Sequence, residues 1–166
     1  MFQPETGELT GGCQCGAVRF HAKRLGRASI CHCRMCQKAF GGFYGPLVTA
    51  FGVTWTRGQP AWFQSSNKVR RGFCAQCGTP LAYDFGASAI ELAIGAFDNP
   101  ELAPPTIQVN PDDKLSFTDG LVSLPTRQPG DNAKADEFLI DVVSYQHPDH
   151  DTEHWPPAAG FAGSVP

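Results

Sequence analysis

The chain has 166 residues, 42% hydrophobic and 17% charged, with a formal net charge of -3 and a pI near 5.9. That length can bury a core as one domain, and the acidic balance argues against a general nucleic-acid binder, which would be basic. No apolar run is long enough to span a bilayer as a helix.

Eighteen glycines and fourteen prolines predict short strands and frequent turns. The opening Met1-Phe2-Gln3-Pro4-Glu5 lacks the charged region and apolar stretch of a secretory leader, so a cytoplasmic protein without membrane attachment is expected. The seven cysteines are odd in number and clustered. In a reducing compartment this favours metal ligation over a disulfide framework.

Residues up to 10 read as a loose lead-in. Gly11-Gly12-Cys13-Gln14-Cys15-Gly16 follows, and residues 17–22 alternate apolar and polar like a half-buried strand. If extended, the segment turns Cys13 and Cys15 to one side, where they can share one metal. Residues 25–29 read as a connection. Residues 30–33 read as extended, and 34–40 as one or two helical turns stopped by Gly41-Gly42. Short strands are predicted at 47–50, 53–56, 61–64 and 68–73, punctuated by Gly52, Gly58-Gln59-Pro60 and Ser65-Ser66-Asn67, the rhythm of an antiparallel meander. Cys74-Ala75-Gln76-Cys77-Gly78 reads as a zinc-knuckle-like turn. Residues 81–85 and 89–97 read as strands around a hairpin turn at Gly86-Ala87-Ser88. Residues 107–109 and 115–117 read as edge strands. Residues 138–145 fit strand or helix, and little regular structure is expected from Gln146 onward.

Seven thiols divide as four plus three. Cys31, Cys33 and Cys36 form a local trio, leaving Cys13, Cys15, Cys74 and Cys77. Four thiolates make a closed structural zinc site, whereas three leave a coordination position open. Such a zinc can hold an incoming thiol as thiolate, a nucleophile for a carbonyl carbon. The trio can also be structural, completed by another ligand. The rival grouping is a zinc ribbon of Cys33, Cys36, Cys74 and Cys77, but its gap exceeds the roughly 15–20 residues usual for one.

Three stretches carry a resemblance to a known family. They are Gly11-Gly12-Cys13-Gln14-Cys15-Gly16-Ala17-Val18-Arg19-Phe20, Cys31-His32-Cys33-Arg34-Met35-Cys36-Gln37-Lys38 and Phe73-Cys74-Ala75-Gln76-Cys77-Gly78-Thr79-Pro80-Leu81. Together they resemble the glutathione-dependent formaldehyde-activating enzymes, a family that also includes centromere protein V. The resemblance spans about residues 8–125 and weakens after Phe97. It implies a mainly β fold, the β-tent of short antiparallel strands around a structural zinc. It also implies that Cys13, Cys15, Cys74 and Cys77 hold that zinc, while Cys31, Cys33 and Cys36 hold a second, catalytic and labile one. The implied activity joins glutathione to formaldehyde and is classed as a carbon–sulfur lyase. Thr106 and Phe117 stand where the family often carries a histidine and a tryptophan.

Arg34 and Lys38 adjoin the trio in sequence and can meet the carboxylates of glutathione; otherwise they are solvated charges. Lys68-Val69-Arg70-Arg71 reads as a solvated strand face. His147, His150 and His154 alternate with Asp149, Asp151 and Glu153 as a hydrated tail rather than a third metal site. His32 reads as a hydrogen-bonding neighbour of the trio. Trp55, Trp62, Phe63 and Phe73 read as core.

The expected organisation is a zinc-binding domain over residues 1–130 and an irregular C-terminal extension over 131–166. The expected function is a zinc-dependent carbon–sulfur lyase-type enzyme joining or splitting glutathione, or another thiol, and a small aldehyde such as formaldehyde. The alternative is a non-catalytic zinc-stabilised module that binds a protein or nucleic acid.

Overall fold

The computed structural model describes residues 9–156. The expected lead-in up to residue 8 and the end of the extension from residue 157 lie outside the described residues. Among the described residues ten strands run in chain order: β1 Thr10–Gly12, β2 Arg19–His21, β3 Arg24–Cys31, β4 Gly45–Phe51, β5 Thr54–Arg57, β6 Ala61–Gln64, β7 Arg70–Phe73, β8 Pro80–Asp84, β9 Ile90–Ala93 and β10 Ile107–Val109. Two α-helices join them, α1 Arg34–Phe40 and α2 Ala133–Ile140, along with short 3-10 turns. The expected mainly β class is what forms.

The strands make two sheets. A three-stranded sheet has the order β1-β2-β5, and a seven-stranded sheet has the order β10-β3-β4-β9-β8-β7-β6. The meander expected over 47–73 forms only at β6 and β7: β4 pairs with β3 and β9 and β5 joins β2 in the small sheet, while the consecutive antiparallel run is β6 to β9. β10 lies parallel to the outer side of β3.

Register divides the large sheet into two chemically different faces. Cross-strand partners share a face, and so do residues two apart. Phe63 pairs with Arg71, Arg71 with Tyr83, Tyr83 with Glu91 and Glu91 with Thr49. On that same face Leu47 pairs with Ser29, two residues before Cys31. The opposite face carries Ala28, Val48, Ala50, Ala82 and Leu92, all buried in the core. Phe20 of the small sheet packs into this core, fully buried, with its ring edge-on to Trp55 at 6.0 Å and Phe97 at 5.0 Å. Burying such a side chain stabilises the fold by about 1.5–3 kcal/mol. One sheet face thus packs against the core, while the other carries Arg71, Tyr83, Glu91 and Cys31 together with buried Leu47 and Ala93.

Gly11 shows why a small residue opens the first motif. Its backbone bridges Phe97, and a side chain there would collide with the Ala96 carbonyl oxygen and the Phe97 backbone. Helix α1 ends where predicted: Gly41 adopts φ 59° and closes the C-terminus in the left-handed conformation that glycine tolerates.

Several local expectations are corrected. Residues 25–29 are part of β3 rather than a connection, because a bulge between Leu25 and Ala28 hides the alternation. The segment around Cys13 is a turn rather than extended chain: Gly16 N–H donates to the Cys13 carbonyl at 3.0 Å, and Cys13 N–H to the Val18 carbonyl at 2.9 Å. Residues 115–117 form no strand and lead into a 3-10 helix, Thr118–Ser123. Phe63 is 62% exposed rather than core, since β6 is the edge strand and, among the described residues, no further strand lies beyond it. The apolar stretch from 138 is helical up to Ile140, in a helix capped by the Asn132 side chain, which accepts from Ala135 N–H at 3.2 Å.

Candidate metal centres and the face beside them

The sulfurs of Cys13, Cys15, Cys74 and Cys77 lie within 4.8 Å of one another, and so do those of Cys31, Cys33 and Cys36. The ribbon grouping does not form, because Cys74 and Cys77 turn toward the first motif and not toward Cys36. The four-sulfur group closes two knuckles. In the second, Gly78 N–H donates to the Cys74 carbonyl at 2.9 Å, with Gly78 at φ 78°. Backbone N–H groups of Val18 and Gln76 aim at the sulfurs of Cys13 and Cys74, at 3.2 and 3.4 Å. The Val18 donor favours the Cys13 thiolate, but burial outweighs it and raises that thiol.

Four Zn–S bonds of about 2.3 Å in a tetrahedron require sulfurs about 3.8 Å apart. Cys13 and Cys15 are 3.6 Å apart, and Cys15 and Cys74 are 3.8 Å apart. The donor set and its spacing fit such an ion. Burial pushes the Cys15 thiol up to about 12. Burial also opposes the Cys77 thiolate, but the Thr79 hydroxyl at 3.1 Å and the surrounding N–H groups outweigh it and lower that thiol to about 6.

The trio sits where β3 hands over to α1. Cys31 ends the strand, Cys33 caps the helix by accepting from Cys36 N–H at 3.4 Å, and Cys36 lies in the first turn. Burial raises the Cys31 thiol, and raises the Cys36 thiol to about 12. Burial also works against the Cys33 thiolate, but the Cys36 N–H, the neighbouring thiols and Arg71 together lower it.

Arg71 is the main residue that sequence reasoning misses. The sequence puts it on a solvated face, yet it is 9% exposed. Its Nη2 lies 3.5 Å from the Cys36 sulfur, its Nε donates to the Ser65 hydroxyl at 3.2 Å, and its guanidinium stacks over Tyr83 at 5.0 Å. Strand alternation, which sets exposed Arg70 against buried Arg71, is the signal that could have found it. Asn110 is also missed. It takes φ 54°, rare for a non-glycine residue, and its Oδ1 lies 3.7 Å from the Cys31 sulfur.

Arg34 and Lys38 are exposed on α1, and Arg34 donates to the Gln37 side chain. His32 is buried and outside both sulfur groups. Its Nε2 meets the Gln108 side chain at 2.9 Å, and Gln37 Nε2 donates to its carbonyl at 2.6 Å.

The C-terminal extension is not simply a hydrated tail. His147 is 3% exposed, and its backbone N–H donates to the Gln14 carbonyl at 2.8 Å. Trp155 stacks edge-on to it at 4.9 Å. Arg57 donates to the carbonyls of Gly16 and Thr152. Buried Arg19 pairs with Asp98 at 2.5 Å and with Asp151 of the extension at 2.6 Å. Residues 146–156 thus form a strap over the first knuckle. His150 and His154 are exposed, and no third metal cluster occurs among the described residues.

Among the described residues no helix is long and apolar enough to cross a membrane. No curated protein matches the chain in sequence. A crystal structure of a Rhodobacter sphaeroides protein is similar in fold, with a TM-score of 0.50 at 20% identity over 61% of this chain and 100% of that one. Residues 8–112 match the profile of the family described as glutathione-dependent formaldehyde-activating enzyme. That span is more than half of the chain and contains both sulfur groups. The chain therefore belongs to the glutathione-dependent formaldehyde-activating enzyme family.

Proposed function

We propose that the protein is a zinc-dependent carbon–sulfur lyase-type enzyme, joining or splitting glutathione, or another thiol, and a small aldehyde such as formaldehyde. In the joining direction a sulfur–carbon bond forms and the thiol proton ends on the former carbonyl oxygen. The reverse direction restores both. The observation that carries this reading is the separation of a three-sulfur group beside a buried cation from a closed group of four. Family membership supplies the reactants.

In this reading Cys13, Cys15, Cys74 and Cys77 hold a structural zinc, around which the two sheets make a β-tent. Cys31, Cys33 and Cys36 hold a second. When bound there, zinc supplies positive charge and room for one further donor, which favours the thiolate form of an incoming thiol. The chain's own residues supply the rest. Arg71 sets a fixed positive charge beside the trio, in a site partly shielded from water, where a developing anion is stabilised most. Arg34 and Lys38, exposed on the helix that carries Cys36, are placed to meet the carboxylates of glutathione. Asn110 offers a carboxamide next to Cys31. Seven free thiols suit a reducing compartment, the cytoplasm.

Zinc content, a glutathione titration and formaldehyde consumption test the reading together. Two zinc equivalents, glutathione binding at millimolar concentration or below, and consumption faster than with glutathione alone are expected. The uncatalysed reaction must be subtracted, because a thiol adds to formaldehyde without help. Absence of glutathione binding together with an uncatalysed rate would overturn the assignment.

A further inference from the structure

A cavity of about 430 Å³ opens beside the trio, walled by Ala39 and Phe40 of α1, by Phe63 and Phe73 of the sheet, by Pro80 and by Arg71. Its size falls within the range of small-molecule sites, roughly 300–1,000 Å³. Two relationships tie it to the sulfurs. Ala39 and Phe40 follow Cys36 by three and four residues, so all three lie on one face of the helix. Arg71, which lines the cavity, has its Nη2 3.5 Å from the Cys36 sulfur.

The lining does not suit the reactants named by the family. Among the described residues three phenyl rings and one charged side chain surround the space, and that charge already engages Cys36, Ser65 and the Tyr83 ring. Carboxylates of glutathione turned into it would lose water and gain few partners. Formaldehyde has no substituent to place there. A hydrocarbon group would be desolvated against aromatic rings, the favourable case.

We propose that this cavity receives the hydrocarbon group of the aldehyde partner, so that the preferred aldehyde carries an apolar substituent of aryl size. The inference rests on the thiol–aldehyde reading above and names its substrate class. Joining then forms the sulfur–carbon bond at the carbonyl carbon, moves the thiol proton to the carbonyl oxygen, and leaves the aryl group in the cavity. No oxidant or reductant is involved.

Calorimetric titration of the zinc-loaded protein with S-benzylglutathione, S-methylglutathione and glutathione tests it, since the thioethers mimic adducts with and without an aryl group. S-benzylglutathione should bind about tenfold more tightly than S-methylglutathione. Phe63→Ala, at an exposed edge-strand position, and Ala39→Trp, which fills the cavity, should each cut that preference at least threefold and leave glutathione binding unchanged. Equal affinity for the two thioethers, or a preference that survives both variants, would overturn the inference and leave the glutathione reading standing. If none of the three binds, the glutathione reading fails instead. Phenylmethanethiol against 2-mercaptoethanol then decides the cavity alone: a preference for the aryl thiol that Ala39→Trp removes keeps it, and no preference overturns it.

Discussion

Trp155 donates its indole N–H to the Cys15 carbonyl oxygen, 2.8 Å away across 140 residues of chain. This bond fixes the C-terminal strap to the knuckle that carries two of the four clustered sulfurs. Trp155→Ala should remove the bond and the packing against His147, at a cost of roughly 1–2 kcal/mol. Metal should then pass to a competing chelator faster from the four-sulfur group, with a lower midpoint of thermal unfolding. Equal transfer rates for variant and parent would show that the strap does not guard the knuckle.

The strap also predicts a pH dependence. His147 is buried beside Arg19 and Arg57, and burial followed by these cations lowers its pKa below the ordinary value, against the opposing pull of the Pro148 carbonyl and Asp98. Its Nδ1 lies 2.7 Å from the Pro148 carbonyl and its Nε2 3.3 Å from Arg57, which assigns the proton of the neutral ring to Nδ1. A base whose folded pKa is depressed binds fewer protons folded than unfolded between its two pKa values. The stability it contributes is therefore present above about pH 6.5 and lost as pH falls toward the folded value. Hydrogen-exchange protection at residues 146–156, after the intrinsic pH dependence of amide exchange is divided out, should fall between pH 7.5 and 5.5, and His147→Gln should flatten that change. A profile identical in parent and variant would assign the pH dependence elsewhere.

The two sulfur groups should differ in what their loss does. Cys77→Ser removes a ligand from a group that joins the first motif to residues 74–77, and structural zinc binding contributes on the order of 10 kcal/mol to folding. The variant should fail to accumulate as folded protein. Cys33→Ser touches a group within one strand–helix junction, so the fold should persist with up to one zinc equivalent less. Metal analysis and circular dichroism read both. Normal unfolding of Cys77→Ser with full zinc would contradict the assigned roles, as would collapse of Cys33→Ser.

What is legible in the sequence is local. The thiol spacings make the trio and the two pairs legible because metal geometry constrains residues close in sequence, and the four-sulfur group follows as what the trio leaves, although it joins Cys15 to Cys74 across 59 residues. Helix α1 is readable from 34–40 because Gly41 supplies the left-handed stop. The large sheet hides two things. A bulge masks the pattern of β3, and burial of Arg71 is decided by how β7 sits between β6 and β8, a register that one strand does not encode. The strap is opaque for the same reason. Arg19 and Asp151 lie 132 residues apart, and neither carries a periodic signal. Phe63 misleads because aromatic character predicts burial only when a neighbouring element covers the strand.

Arg71 carries the most direct test of how the trio is tuned. Burial pushes the Cys33 and Cys36 thiols up, and the Arg71 guanidinium pulls both down against it. Arg71→Met keeps much of the side-chain bulk and removes the charge, so both thiols should become weaker acids and their thiolate fraction should fall. At a pH below the pKa, a thiol whose pKa rises by one holds about a tenth as much thiolate, and the thiolate is the reactive form. Alkylation of the metal-free trio by iodoacetamide at pH 7 should therefore slow by roughly threefold to tenfold. Arg71→Lys should recover part of the rate, since an ammonium restores charge without the planar fork. A purely packing role would instead lower thermal stability and leave the pH profile of alkylation where it was. Mapping the alkylated cysteines by mass spectrometry separates the trio from Cys77, whose environment does not involve Arg71. An unchanged profile in a folded Arg71→Met variant would remove Arg71 from the chemistry and leave it a packing residue beneath Tyr83.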